Sequence, residues 1–292
     1  MKKYFSFIKI EHTAFSLPII FSGMALGVLA RHKNAEVLLA DSELLRIGIY
    51  VLIAATGART VGFAMNRIVD RHLDARNPRT EKRHLPAGAV SLIEAYLVLL
   101  AGFAIYMFAA WMLNGLCLLL SPIPLLVFAV YPFLKRFTAL AHFGVGLSLA
   151  LGPLGGYFAV RPTFDAFMIP VVLLTCFTWL WVSGFDIIYS TSDEAFDKKH
   201  GLFSFPAKFG KVLALKFSAI IHALAFVLLC GVYCTAFMGS VVAAILLLVS
   251  GYLLYLEQKK SDDIEMAFFK INAILGFIVF AFVFIGVRFS LT

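Results

Sequence analysis

Long apolar runs separated by short polar segments make up most of the chain. A helix needs about 20 apolar residues to cross the hydrocarbon core of a bilayer, and runs such as "VVAAILLLVSGYLLYL" lack the alternation of a barrel strand. The pattern predicts an all-α integral membrane protein with a single polytopic domain, residues 1–292. The nine expected spans lie near residues 13–30, 44–65, 91–112, 115–133, 138–160, 165–188, 212–236, 238–256 and 268–289.

The composition supports a membrane protein and explains the positive charge. Of the 292 residues, 61% are hydrophobic and 14% are charged, and the mean hydropathy is +0.92. With the N-terminus in the cytoplasm, nineteen Lys and Arg residues fall inside, five fall outside, and Arg59 lies within a span. The net charge of +8 therefore indicates orientation in a bilayer rather than binding to nucleic acid. We expect an integral membrane protein with its N-terminus inside and its C-terminus outside.

Two of the inner connections, 66–90 and 189–211, are long and rich in charge. In the first, Asn66, Asp70 and Asp74 are spaced four residues apart, which places them on one face if the second span continues as a helix. Arg59 falls on the same face. An arginine within a span normally faces the bundle interior and has a partner, so we expect this acidic face to be its partner.

The second connection repeats this arrangement. Asp193 follows Asp186 by seven residues and Tyr189 by four, and Asp197 follows four residues later. Two facing clusters of oxygen ligands suit Mg²⁺, which typically links a few carboxylates to substrate phosphates. Basic residues between the acids can complete an anion site, and they are Arg67, Arg71, Arg79, Lys82, Arg83, Lys198 and Lys199.

Other interpretations of these clusters remain open. Alternating charges such as "DRHLDAR" also occur as ion pairs on a solvated helix end. Intramembrane charge can also mark the ion pathway of a transporter, although transporter sites lie near the bilayer midplane. Here the acids lie at the ends of spans, which favours an enzyme that acts on the headgroup of an amphiphile.

At these residues the chain resembles the UbiA superfamily of membrane prenyltransferases. The resemblance rests on the N-x3-D-x3-D motif at Asn66, Asp70 and Asp74, on "RTEKRHLPAG" at 79–88, and on a Tyr upstream of a D-x3-D pair. It covers the whole chain. It implies nine transmembrane helices around a central cavity that is capped by cytoplasmic loops.

The resemblance also implies the roles of individual residues. Metal and diphosphate would be held by Asn66, Asp70, Asp74, Asp193 and Asp197. Catalytic roles would fall to Asp70, Asp74, Asp193 and Asp197, with Asp186 as a base or a metal ligand. Further substrate-binding candidates are Tyr189, Arg59, Arg67, Arg71, Arg79, Arg83, Lys198 and Lys199. Arg59 or Arg67 could also bind a carboxylate of the acceptor.

Two departures from the family pattern bear on the acceptor. Arg67 stands where many members have Asp, and Phe203 stands where many have Lys, so Arg67 could compensate for the lost charge. Together with "EHTAFSLP" at 11–18, these features are most similar to 4-hydroxybenzoate-type polyprenyltransferases, and more narrowly to menaquinone enzymes of the futalosine route, which use 1,4-dihydroxy-6-naphthoate.

The expected function is Mg²⁺-dependent transfer of a polyprenyl group from polyprenyl diphosphate to an aromatic acid in ubiquinone or menaquinone biosynthesis. The alternatives are farnesyl transfer of the haem O synthase type and a membrane transporter. Metal and basic side chains would stabilise the leaving pyrophosphate, and an apolar, aromatic pocket would protect the allylic cation from water.

Overall fold

A computed structural model of the protein describes residues 2–8 and 13–292, so the first two residues of "EHTAFSLP" lie outside the described part. The described residues form helices and no strands, which confirms the predicted all-α fold. In chain order the α-helices are α1 (Lys2–Phe7), α2 (Thr13–Lys33), α3 (Asp41–Asp74), α4 (Leu92–Leu113), α5 (Gly115–Leu120), α6 (Pro122–Leu134), α7 (Ala141–Val160), α8 (Ile169–Ser190), α9 (Glu194–His200), α10 (Phe205–Phe209), α11 (Lys211–Val232), α12 (Val241–Lys259) and α13 (Asn272–Leu291).

The long helices correspond to the predicted spans. Eight helical segments of the described chain are long and apolar enough to cross a membrane. The first predicted span corresponds to α2, which borders the undescribed residues 9–12, so the count of nine stays a prediction. The fourth span is divided into α5 and α6 at Pro122, because proline has no N–H group to donate to a helical carbonyl oxygen.

The acidic motif residues lie on helices rather than in the predicted loops. Helix α3 extends to Asp74, so the first connection begins at residue 75 and not at residue 66. Helix α8 continues through a short 3-10 segment, Thr191–Asp193, into α9. The boundaries predicted from hydropathy were therefore wrong here, because a helix continues beyond the bilayer wherever its polar residues keep helical spacing.

The helices enclose a cavity whose wall is held together by close packing. α7 packs against α2, α3, α6 and α8, while α13 packs against α2 and α12. A Cβ atom on Gly23 of α2 would lie 1.9 Å from the carbonyl oxygen of Pro153 in α7, and a Cβ on Gly156 would lie 2.2 Å from that of Ile20. Glycine is required at both positions, because only its missing side chain lets the two backbones approach this closely.

Helices α3 and α8 both end on one side of the bundle, which we call the motif side.

On the opposite side, Arg161 forms ion pairs with residues in the connections after α2 and α7. Its side chain is 1% exposed, and its Nη2 lies 2.7 Å from Glu36 Oε1 and 2.6 Å from Asp165 Oδ2. Hydrogen bonds from Asn34 and then Arg161 lower the pKa of Glu36, and those from Arg161 lower the pKa of Asp165.

We expect Arg161→Gln to lower the free energy of unfolding by about 1.5–3 kcal/mol, the range for hydrogen bonds to charged groups. Because the carboxylate pKa values are lowered in the folded state, their contribution is present above the unfolded pKa near 4 and is lost as the pH falls. Thermal unfolding in detergent at pH 7 and pH 4 measures both effects. Arg46→Gln is the control, since Arg46 is exposed and 3.8 Å from Glu43. Equal melting temperatures for the two variants would contradict the prediction.

Candidate active site

The first acidic cluster occupies the last turns of α3. Asp70 and Asp74 are 3% and 5% exposed, and Asn66 Nδ2 donates to Asp70 Oδ2 at 3.5 Å. The four-residue spacing therefore places the amide and the carboxylates on one face, as predicted. Two ionised carboxylates at this depth need compensating charge, because burial removes their hydration.

Four cations supply this charge. Lys135 Nζ donates to Asp70 Oδ2, and Arg136 Nη2 lies 3.9 Å from Asp70 Oδ1. Arg83 Nη1 donates to Asp74 Oδ1 at 2.7 Å, and Arg67 Nη1 lies 3.9 Å from Asp74 Oδ2. Arg67 and Arg83 were candidates from the sequence. Lys135 and Arg136 were missed, because their place after the fourth span had been assigned only to membrane orientation.

Phe203, one of the two departures from the family pattern, lies next to Lys135 in the structure. The backbone N–H of Phe203 donates to the carbonyl oxygen of Lys135 at 2.7 Å, so the two residues are neighbours. The Lys135 side chain itself is directed to Asp70. Arg67 lies beside Asp74, and its role as a compensating charge stays a prediction.

The first connection (residues 75–91) and the second connection (residues 191–210) meet at Arg79. Arg79 Nε donates to Asp193 Oδ1 at 2.8 Å, and Nη1 donates to the Tyr189 hydroxyl. Asn77 Nδ2 donates to the same Asp193 oxygen at 3.0 Å. Burial opposes the charge of Arg79, but its hydrogen bonds to Asp193 raise the pKa above the usual value. The two Asp motifs thus lie together, as the sequence predicts, and the segment "RTEKRHLPAG" joins them.

Asp186 and Asp197 lie beside this junction. Burial raises the pKa of Asp197, and the nearby Ser204 and Lys135 oppose this shift. Asp186 faces the central cavity, and its Oδ2 lies 2.7 Å from Nδ1 of His142 on α7. The sequence analysis did not single out His142, since an isolated histidine carries no signal of its partner.

A central cavity of about 400 Å³ extends from Asp186 into the bundle. Its walls are mostly apolar and include the rings of Tyr106, Tyr131 and Trp181. Arg59 also lines it, donates from Nη1 to Ser16 Oγ at 3.4 Å, and lies 4.7 Å from the centre of the Phe63 ring. The described ion pairs of Asp70 and Asp74 are made by other cations. Arg59 therefore belongs to the cavity and not to the acidic face with which it was expected to pair.

Three basic candidates lie away from the buried acids. Arg71 donates to the carbonyl oxygen of Ile68 at 2.9 Å and faces a separate groove beside Tyr96. Lys198 is exposed and its Nζ lies 2.6 Å from Glu194, and Lys199 is exposed as well. The structure does not bring these three side chains to the site, and a role in substrate binding stays a prediction for them.

The site fits a metal ion that is bound partly by protein carboxylates and partly by substrate phosphates. Asp70 Oδ1 and Asp74 Oδ2 are buried and have no hydrogen-bond partner among the described residues, so each has lone pairs to offer. No group of three or more His, Cys, Asp or Glu residues that could hold a metal ion occurs in the described part of the chain. Mg²⁺ suits this arrangement, because it typically binds one or two carboxylates together with water and substrate phosphates.

Comparison with known proteins identifies the family. Residues 17–274 match the UbiA prenyltransferase family. The chain belongs to that family. It is therefore an integral membrane prenyltransferase, as the two Asp motifs predicted.

Solved structures and curated relatives of this UbiA protein agree with the assignment. The apo structure of a UbiA homolog from Aeropyrum pernix K1 superposes with a TM-score of 0.83 at 34% identity, covering 94% of this chain and 98% of that one. A UbiA homolog from Archaeoglobus fulgidus, solved bound to GPP and Mg²⁺, shares the fold with a TM-score of 0.72 at 18% identity, covering 98% and 99%. The 4-hydroxybenzoate octaprenyltransferase of Francisella tularensis subsp. novicida (strain U112) is 27% identical over 285 residues, 96% of this chain and 95% of the relative.

We expect Lys135→Met to lower the melting temperature, because it leaves Asp70, which is 3% exposed, without its closest cation. Millimolar Mg²⁺ should raise the melting temperature of this variant more than that of the wild type, since the ion can replace the lost charge. Lys211→Met is the control, because Lys211 pairs with the 88% exposed Asp262. Equal responses of all three proteins to Mg²⁺ would show that the ion does not bind near Asp70.

Proposed function

We propose that this UbiA protein transfers a polyprenyl group from polyprenyl diphosphate to an aromatic acid, with Mg²⁺ as cofactor. The observation that carries the proposal is the pair of buried, unpartnered carboxylate oxygens on Asp70 and Asp74, in a bundle that also encloses an apolar cavity. Such a site can bind a charged headgroup at the membrane surface and an apolar chain within the bundle.

The names of relatives support the substrate classes. The Francisella relatives are 4-hydroxybenzoate octaprenyltransferases, and the A. fulgidus homologue was solved with GPP and Mg²⁺. For this chain the acceptor is of the 4-hydroxybenzoate or 1,4-dihydroxy-6-naphthoate type, in ubiquinone or menaquinone biosynthesis. Both acceptors combine a hydroxylated ring with a carboxylate, which Arg59 in the cavity wall or Arg67 can bind.

Mg²⁺ would be held by Asn66, Asp70 and Asp74 from α3 and by Asp193 and Asp197 from the second connection. When bound, it supplies positive charge to the diphosphate and so favours departure of pyrophosphate. Arg67 and Arg83 add fixed donors beside Asp74. Fixed cations of this kind stabilise developing negative charge without reorganisation.

The cavity would protect the allylic cation that forms when the carbon–oxygen bond of polyprenyl diphosphate breaks. Apolar walls exclude water from the allylic cation, and aromatic faces attract positive charge. The acceptor ring then attacks the cation and must lose a proton to regain aromaticity. Asp186 is the carboxylate in the cavity wall and would accept it.

The motif side would face the cytoplasm of a bacterial inner membrane, since most Lys and Arg residues lie in the connections on that side. The N-terminus would then be inside and the C-terminus outside. In this orientation a diphosphate made in the cytoplasm approaches the bundle from the motif side.

We expect Asp70→Asn and Asp193→Asn each to reduce polyprenyl transfer by at least about 10²-fold, because each removes a carboxylate from the metal site. Excess chelator should abolish wild-type transfer, and added Mg²⁺ should restore it. Asp262→Asn is the matched control, as its side chain is 88% exposed. Full activity of the two site variants, or of the wild type in chelator, would refute the mechanism.

Membranes that contain the protein should transfer the polyprenyl group to an aromatic acid supplied with polyprenyl diphosphate. Product formation with 4-hydroxybenzoate and with 1,4-dihydroxy-6-naphthoate, compared at equal concentration, identifies the acceptor. Haem B with farnesyl diphosphate tests the haem O synthase alternative in the same assay. If diphosphate were transported across vesicles without any product, the transporter interpretation would replace the enzyme.

A further inference from the structure

His142, in the first turn of α7, connects the cavity to the second connection. It is 5% exposed. Its Nδ1 lies 2.7 Å from Asp186 Oδ2, and its Nε2 lies 3.1 Å from the backbone nitrogen of Phe205. Both ring nitrogens are therefore engaged, one with the acid in the cavity wall and the other with the connection that covers the site.

The Phe205 contact fixes the tautomer of the imidazole. A backbone N–H can only donate, so His142 Nε2 must accept and carries no hydrogen. The ring proton is then on Nδ1 and is donated to Asp186 Oδ2. A second proton on Nε2 would face the Phe205 N–H and break that hydrogen bond. His142 thus donates from Nδ1 to Asp186 and accepts at Nε2 from Phe205.

We propose that His142 is a positioning residue that holds the Asp186 carboxylate at the cavity wall and makes its orientation depend on docking of the second connection. The proposal rests on the proposed function, in which Asp186 accepts the acceptor's proton. With Oδ2 bound to the imidazole, Oδ1 is the carboxylate oxygen left to take that proton.

Prenyl transfer under the proposed function breaks one bond to the allylic carbon and forms another. The allylic carbon–oxygen bond breaks and its electron pair leaves with pyrophosphate. A ring carbon beside the hydroxyl of the acceptor forms a bond to the allylic carbon. The proton on that ring carbon passes to Asp186 Oδ1, and its electron pair restores the aromatic ring. Asp186 later releases the proton to water.

Contacts with two helices fix the position of the second connection beside His142. The Phe205 ring stacks on Phe217 of α11 with centroids 4.4 Å apart and an angle of 4°. Two residues earlier, the Phe203 N–H binds the Lys135 carbonyl. The segment therefore contacts α11, the end of α6 and His142 together, and its docking completes the set of hydrogen bonds around Asp186.

Two variants separate the hydrogen bonds of His142 from its ring. His142→Gln keeps a donor for Asp186 and an acceptor for Phe205 but has no titratable group. His142→Phe fills the space and makes neither bond. His200→Phe is the control in the second connection, because it keeps the stacking of residue 200 on Phe196 and lies outside the site.

We expect kcat for polyprenyl transfer to fall about 10²-fold or more in His142→Phe, the usual scale for a misplaced general base. The KM for polyprenyl diphosphate should stay within about twofold, as the metal ligands are untouched, and His142→Gln should recover most of the turnover. Hydrogen exchange of the amides at 203–209 should be faster in His142→Phe only. His200→Phe should match the wild type in both assays.

Wild-type kcat in His142→Phe would overturn the proposal, as would a His142→Gln variant that is equally stable yet as slow as His142→Phe, since the imidazole itself would then be needed. Unchanged exchange at 203–209 in His142→Phe would overturn the coupling to the second connection. If the wild type transfers no polyprenyl group to any acceptor, the proposed function fails, and the base role of Asp186 fails with it. The exchange measurement still decides whether His142 holds the connection.

Discussion

Neutralisation of buried carboxylates at one end of an apolar bundle is the constraint on which the structure depends. Asp70 and Asp74 are almost fully buried, and an unpaired charge at such a depth costs several kcal/mol. Their cations come from separate parts of the chain, with Arg67 on α3, Arg83 in the first connection and Lys135 after α6. These three segments must lie close together to neutralise the two carboxylates. The need to neutralise them therefore also places the site residues side by side.

The two ends of the bundle meet this requirement differently. On the opposite side, Arg161 is fully saturated by Glu36, Asp165 and Tyr157, and the arrangement closes the connections. On the motif side the ion pairs are incomplete, because Asp70 Oδ1 and Asp74 Oδ2 keep free lone pairs. A saturated cluster stabilises only the fold, whereas an unsaturated one retains affinity for a cation and its anionic ligand. The motif side is therefore the end of the bundle at which the described residues leave buried carboxylate oxygens unpartnered, and the proposed function uses this end.

The sequence was sufficient for features that depend on local spacing. The apolar runs predicted the long helices, and the four-residue spacing of Asn66, Asp70 and Asp74 predicted a common face. Contacts between distant segments were not predictable in this way. Nothing local to Lys135 indicates that it pairs with a residue in α3, and nothing local to His142 indicates Asp186 on one side and Phe205 on the other. Such pairs depend on how helices cross, which here includes the close approach of α2 and α7 at Gly23.

Arg67 shows how the fold and the proposed chemistry are linked. Its side chain is 7% exposed, and its Nε and Nη1 have no hydrogen-bond partner among the described residues. Each unsatisfied buried donor costs about 1–3 kcal/mol, and more when it is charged. The protein tolerates this cost beside Asp74 Oδ2, which is itself unpartnered. A metal ion on the carboxylate and a diphosphate oxygen on the guanidinium would satisfy both groups at once. The residue that departs from the family pattern therefore leaves two buried donor atoms without a hydrogen-bond partner among the described residues, and under the proposed function an anion would satisfy them.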